Sequence, residues 1–328
     1  DFSNIGSRLT GKTVIIVSTS SLVKSRQELA MHNFFIARSA KENGAVNVIL
    51  VEPDLFFSAQ DRGAHDYLGQ TVAERSEQDL KKFDGQPFTA KLYAQMLKLS
   101  GVDRVLTVHN HSYEIYAHYL LSSIIVTYGP QGEGLVLCAP DKGARDFVKS
   151  MFTTLNLPKA KFILLDKERM DEHKVAITLH KESEHTFDGL ENCSIVLFDD
   201  MVRTGSTVVK SCQFLQQVSP NRTIFAVSHF YASDEGRERM ANQAIDEILT
   251  LNTLPTILNR DVQGRLRKKL VVLKIEKWLA QELGKILDLP LTKEENPYKI
   301  DMSSKNPRFS RKIWFADQLK SLDETLIS

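Results

Sequence analysis

Two adjacent carboxylates, Asp199 and Asp200, end an apolar run in the stretch "SIVLFDDMVRTGSTVV" (194–209). Like charges at a strand tip cost free energy unless a ligand, a metal ion or water offsets them. Thr204, Gly205, Ser206 and Thr207 follow and lead into a helical stretch over 207–218. Hydroxyls and backbone N–H groups at a helix N-terminus suit a phosphate. Carboxylates beside them can accept hydrogen bonds from vicinal hydroxyls. Such a loop describes a pocket for a ribose 5-phosphate. The alternative is a polar strand-to-helix turn in which Thr204 or Ser206 caps the helix. The acidic pair after a full apolar strand favours the pocket.

The chain around this loop has 328 residues, which suggests two domains of ordinary size. Hydrophobic residues make up 42% and charged residues 25%, as in a soluble globular protein. A formal net charge of +1 gives no basic surface for nucleic acid and no polybasic membrane anchor. No apolar run approaches the ~20 residues of a membrane-spanning helix, and no signal-peptide pattern is visible. The three cysteines, Cys138, Cys193 and Cys212, have no CxxC spacing. They read as buried, reduced thiols of a cytoplasmic protein.

Nine short apolar runs lie at 13–17, 46–51, 104–108, 135–139, 161–166, 194–200, 224–229, 247–251 and 270–274. Nearly unbroken apolarity predicts parallel strands buried on both faces. Helical stretches between them predict right-handed βαβ units, an α/β fold with two doubly wound, mostly parallel-sheet domains. Turn residues in "SSIIVTYGPQGEG" place the boundary near 128. The expected layout is an N-terminal domain over 1–128 and a ribose-phosphate-binding domain over 129–269. A strand and helix over 270–289 are expected to return to the first domain, and the tail 290–328 is unassigned. The polar stretch 62–86 reads as a long inserted surface loop, and the alternating piece at 174–180 as a hairpin arm.

"VLFDDMVRTGSTV" resembles the phosphoribosyl pyrophosphate loop shared by phosphoribosyltransferases and ribose-phosphate pyrophosphokinases. Further segments resemble the pyrophosphokinases, also called phosphoribosyl pyrophosphate synthetases: "GQPFTAKLYAQMLKLSGVDRVLTVHNH" (85–111), "CAPDKGAR" (138–145), "DKERM" (166–170), "VSHFYAS" (227–233) and "IDEILTLNTLP" (245–255). The likeness runs in order over about 1–288 and suggests a divergent member with domains of phosphoribosyltransferase type. It implies Mg²⁺-dependent transfer of the pyrophosphoryl group of ATP to the 1-hydroxyl of ribose 5-phosphate, giving phosphoribosyl pyrophosphate and AMP. A larger acceptor such as ADP-ribose and a non-catalytic regulatory subunit are the alternatives. A phosphoribosyltransferase is a further one, against which two α/β domains count.

The resemblance assigns Asp199 and Asp200 to the ribose hydroxyls, and Thr204, Gly205, Ser206 and Thr207 to the 5-phosphate. Lys167 and Arg169 match the cations of a catalytic loop that closes over the triphosphate. Asp141 and His111 match the family's Mg²⁺ ligands, and Gln60, Asp61 and His111 its ATP contacts. It also implies a homo-oligomer acting on small molecules. This sequence departs from the pattern at Ala59, where the family has arginine, at His109, where it has aspartate, and at Arg203, where it often has aspartate. His109 and His111 face one side of an extended segment, so a transition-metal site is an alternative there. Arg203 either attracts phosphate or points to solvent. The family's earlier strands and an adenine-contacting hairpin have no counterpart before residue 13, which implies a shortened or missing N-terminal piece.

Overall fold

The computed structural model describes residues 6–65, 75–108, 131–169, 175–291 and 299–302. The chain divides into two compact units, Asp1–Val108 and His109–Ser328. The boundary expected near 128 falls in 109–130, outside the described residues, as do His109 and His111.

In the first unit β1 (Thr13–Val17), β2 (Asn47–Val51) and β3 (Arg104–Leu106) pair in parallel in the order β1-β2-β3. Helix α1 (Arg26–Glu42) connects the first two strands, and α2 (Thr89–Leu99) precedes the third. Ser25 starts α1 with a reciprocal cap. Its hydroxyl accepts from the Glu28 N–H, and the Glu28 carboxylate accepts from the Ser25 N–H. Phe34, Ala37, Val48, Leu50, Phe56, Tyr93 and Leu97 form the core under the sheet. Within the expected surface loop 62–86, Glu77–Lys81 forms a short helix, and 66–74 lie outside the described residues.

The second unit holds an eight-stranded sheet in the order β11-β10-β9-β8-β7-β4-β5-β6. Its strands are β4 (Leu135–Ala139), β5 (Lys161–Arg169), β6 (Val175–Leu179), β7 (Ser194–Val202), β8 (Arg222–Phe230), β9 (Glu247–Leu251), β10 (Leu270–Lys274) and β11 (Lys299–Met302). All neighbours are parallel except β5 with β6 and β10 with β11. The order of winding reverses at β4 and β7. From β4 the chain moves outward to β5 and β6, then returns to β7 on the other side and continues outward through β8, β9 and β10. Helices α3 (Lys142–Leu155), α4 (Ser206–Leu215), α5 (Asp234–Met240) and α6 (Glu276–Ile286) accompany the strands. Each of the nine apolar runs became a strand.

Strand β10 corrects one expectation. It does not return to the first unit but pairs in parallel with β9, Leu270 opposite Ile248 and Leu273 opposite Leu251. Val271 and Val272 are buried there, so a strand apolar on both faces finds cover on the growing edge of its own sheet. The tail, left unassigned from the sequence, supplies β11 on the outer edge of β10. The expected hairpin arm at 174–180 is β6. It pairs only with the distal half of β5, from Leu165 opposite Leu179 to Arg169 opposite Val175. The proximal half of β5 pairs with β4. Lys167 and Arg169 therefore sit on a two-stranded arm beyond the main sheet. Their side chains lie outside the described residues. Cys138, Cys193 and Cys212 are buried and free, as expected, and burial pushes the Cys212 thiol up to about 12.

Candidate active site

In an open α/β sheet, ligands bind beyond the carboxyl ends of the strands, where the winding reverses. Here that place lies between β4 and β7. Asp141 follows the end of β4, and Asp199 and Asp200 occupy the last part of β7. The apolar residues before them, Ile195 to Phe198, are completely buried and fix the strand. The strand emerges from the core at the acidic pair, which is half-buried.

The three carboxylates feel one another. Asp199 is pushed up to about 8, first by burial and then by the charges of Asp200 and Asp141. Its carboxylate accepts from the Asp200 backbone N–H at 2.9 Å. Asp141 is an N-cap: one carboxylate oxygen accepts from the Gly143 and Ala144 N–H groups at 2.9 and 3.2 Å. Its second oxygen makes no described contact. Among the described residues no three His, Cys, Asp or Glu groups converge to hold a metal ion. That donor set still suits Mg²⁺, which takes one or two carboxylate oxygens and completes its shell with phosphate and water.

After β7 the chain turns through Arg203 and Thr204 and enters α4. The N-cap is Gly205, with φ +68° and no side-chain hydrogen bond at the cap. Thr204 and Ser206 do not cap it; their hydroxyls face each other at 3.5 Å. The simple capped turn considered from sequence is therefore not what forms. A helix start without a capping side chain, flanked by two hydroxyls, presents donors to an anion. Glycine is required at 205 by its left-handed backbone and by Met240, whose Cγ would lie 2.7 Å from an added Cβ.

Helix α5 lies under this turn, a contact between segments distant in the chain. Arg239 donates to the Thr204 carbonyl at 2.8 Å and to Glu235 at 2.6 Å. Gly236 comes so close that an added Cβ would stand 2.7 Å from the Arg203 carbonyl oxygen. Arg203 itself lies with its guanidinium 5.8 Å from the Tyr231 ring centroid, within reach of a cation–π contact. Gln60 and Asp61 belong to the first unit, where the Gln60 carbonyl accepts from the Ala90 N–H that opens α2.

A model of the phosphoribosyl transferase domain matches residues 109–255, a span that contains β4 to β9 and the whole acidic-pair turn. Ribose-phosphate pyrophosphokinase 4 of Saccharomyces cerevisiae is 25% identical over 273 residues, 80% of this chain and 75% of that protein. Ribose-phosphate pyrophosphokinase 1 of Streptococcus agalactiae is 26% identical over 247 residues, 71% and 73% of the two chains. The chain is a divergent relative of the ribose-phosphate pyrophosphokinases. The crystal structure of phosphoribosylpyrophosphate synthetase from Mycobacterium smegmatis has the same fold, with a TM-score of 0.62 at 18% identity, covering 85% of this chain and 84% of that one. Among the described residues of this pyrophosphokinase relative, no helix is long and apolar enough to cross a membrane.

Proposed function

We propose that the protein transfers the pyrophosphoryl group of ATP to the 1-hydroxyl of ribose 5-phosphate, producing phosphoribosyl pyrophosphate and AMP. The observation that carries this reading is the uncapped start of α4 beside Asp199 and Asp200, at the point where the sheet reverses. Three successive features there match three parts of one ligand. The turn Thr204–Gly205–Ser206–Thr207 takes the 5-phosphate, Asp199 and Asp200 accept from the ribose hydroxyls, and Asp141 borders the reacting end.

The reaction is an in-line displacement. The 1-hydroxyl oxygen attacks the β-phosphorus, the bond from that phosphorus to the α,β-bridging oxygen breaks, AMP leaves and the hydroxyl proton is lost. Such chemistry needs positioning and charge neutralisation more than covalent help. Lys167 and Arg169, on the arm of β5 and β6, supply the cations for the transferred group. Gln60, Asp61 and His111 contact ATP in this proposal. Mg²⁺, held by the second Asp141 oxygen and His111, would neutralise the triphosphate. A cytoplasmic, homo-oligomeric enzyme completes the reading, and the exposed Val17, Met31 and Phe35 of the first unit support association of copies.

A larger acceptor such as ADP-ribose is the second reading. Arg203 over Tyr231 favours it, because a cation on an aromatic ring beside the turn suits additional phosphate or a base. Incubating the protein with ATP, Mg²⁺ and either acceptor, and measuring AMP, separates the two. Formation of AMP with ribose 5-phosphate is expected. Replacing Lys167 by alanine should lower turnover roughly 100-fold with little change in ribose 5-phosphate KM. No AMP with either acceptor, despite binding of the sugar phosphate, would leave a regulatory subunit as the function.

A further inference from the structure

We infer that Arg239 is a positioning residue that aims the Gly205 N–H at the 5-phosphate; the inference rests on the ribose-phosphate reading of the turn. A trans peptide is planar, so its C=O and N–H point in opposite directions. The Arg239 guanidinium takes the Thr204 carbonyl at 2.8 Å and draws it toward α5. The Gly205 N–H of the same peptide is thereby turned away from α5, and it donates to no described group. This unit belongs to the helix start that has no capping side chain, so the donor faces the place where an anion would sit.

The clamp is itself fixed. The second guanidinium nitrogen is held by Glu235 one helical turn earlier, at 2.6 Å. Gly236 lets α5 approach the Arg203 carbonyl, and Met240 fills the space against Gly205. Three residues of α5 thus touch three successive residues of the turn. Arg239 touches no substrate in this arrangement; it acts through the backbone of Thr204. Freed from Arg239, the peptide between Thr204 and Gly205 can rotate, and the N–H loses its fixed direction. A hydrogen bond from a charged donor carries enough energy that its loss should weaken the phosphate subsite about tenfold.

The test uses the full chain and two readouts: ribose 5-phosphate binding by calorimetry, and AMP formation with separate KM values for ribose 5-phosphate and ATP. Arg239→Ala should weaken ribose 5-phosphate binding about tenfold and leave the ATP KM unchanged. Arg239→Lys keeps one cationic donor and should recover most of the loss. Gly236→Ala should raise the same KM while favouring the helix, because its new methyl group pushes on the Arg203 carbonyl. Arg239→Ala binding ribose 5-phosphate within twofold of wild type overturns the inference, as does an equal rise in both KM values. If Arg239→Ala fails to fold, Gly236→Ala decides: a folded variant with unchanged ribose 5-phosphate binding is equally fatal. Wild-type protein that binds no ribose 5-phosphate sinks the ribose-phosphate reading itself, a result distinct from the other two.

Discussion

The two units each place acidic side chains at the carboxyl ends of parallel strands, and treat them in opposite ways. In the first, Glu52 follows β2 and is fully buried. Its carboxylate accepts from Asn33 at 3.1 Å, from the Tyr93 hydroxyl at 3.0 Å and from the Phe56 N–H at 2.9 Å. Asn33 also donates to Ser18, after β1, so the network ties the ends of two strands to α1 and α2. In the second unit, Asp199 accepts from the backbone N–H of its neighbour Asp200 and faces two carboxylates. The described strands of the first sheet run in one direction, whereas the second reverses between β4 and β7. A carboxylate whose partners come from the protein is part of the structure. One left with like charges where the winding reverses is, in the proposed function, the acceptor for a ligand's hydroxyls. The difference is visible in partners, since burial pushes both groups up, Glu52 to about 7 and Asp199 to about 8.

The largest test of that contrast is functional. Replacing Asp199 and Asp200 together by asparagine should weaken ribose 5-phosphate binding about 100-fold or more, since two acceptors of charged hydrogen bonds are lost. Calorimetry reads this directly. The variant should remain folded, because those carboxylates support nothing else described. Glu52→Ala should behave in the reverse manner. It leaves the Tyr93 hydroxyl, the Asn33 amide and the Phe56 N–H facing a cavity, at a cost of about 3 kcal/mol of stability in urea unfolding. Ribose 5-phosphate affinity of the surviving folded protein should not change. A Glu52→Ala protein as stable as wild type would remove the structural half of the comparison.

Glu52 also reports on how far the sequence could be read. Apolar runs announce strands locally, so all nine were legible, and so was the hairpin arm by its alternation; burial on both faces was not, since β1 and β3 are only partly buried. The acidic pair and the turn after it were legible because they are contiguous. What escaped is what requires residues distant in sequence to meet. Glu52 follows "NVILV" and looks like the start of a polar loop; its partners Asn33 and Tyr93 lie 19 and 41 residues away. Arg239 reaches Thr204 across 35 residues, and "SDEGRERM" reads as an ordinary charged helix. The sheet to which β10 belongs was misjudged for the same reason. Apolarity marks a strand, not the edge that buries it.

The buried network has a pH signature of intermediate size. Glu52 rises from its ordinary 4.5 to about 7, chiefly through burial. A group raised in the folded state contributes stability that is complete below the ordinary value and is lost as the pH climbs to the folded one. Its share is therefore full below pH 4.5 and gone above about 7. Glu52→Gln cannot ionise and should flatten the stability profile in that window, by less than the ~1.4 kcal/mol per pH unit of one whole proton. Denaturant midpoints at half-unit pH intervals would show it. Parallel profiles for the two proteins would mean that Glu52 does not titrate there.

The smallest effect is the one most particular to the acidic pair. Above about pH 8, where Asp199 is ionised, Asp199→Asn removes one of two adjacent like charges while keeping the shape of the side chain. Without ligand it should raise the stability of the second unit by about 1 kcal/mol, or about 2–4 °C in melting temperature. Saturating ribose 5-phosphate should reverse the order, because wild type gains more from binding. The sign matters more than the size. A site that waits for a ligand is strained when empty, so neutralising it helps the free protein and harms the complex. If Asp199→Asn instead melts lower than wild type without ligand, Asp199 is held by the protein as Glu52 is, and the two units would no longer differ in kind.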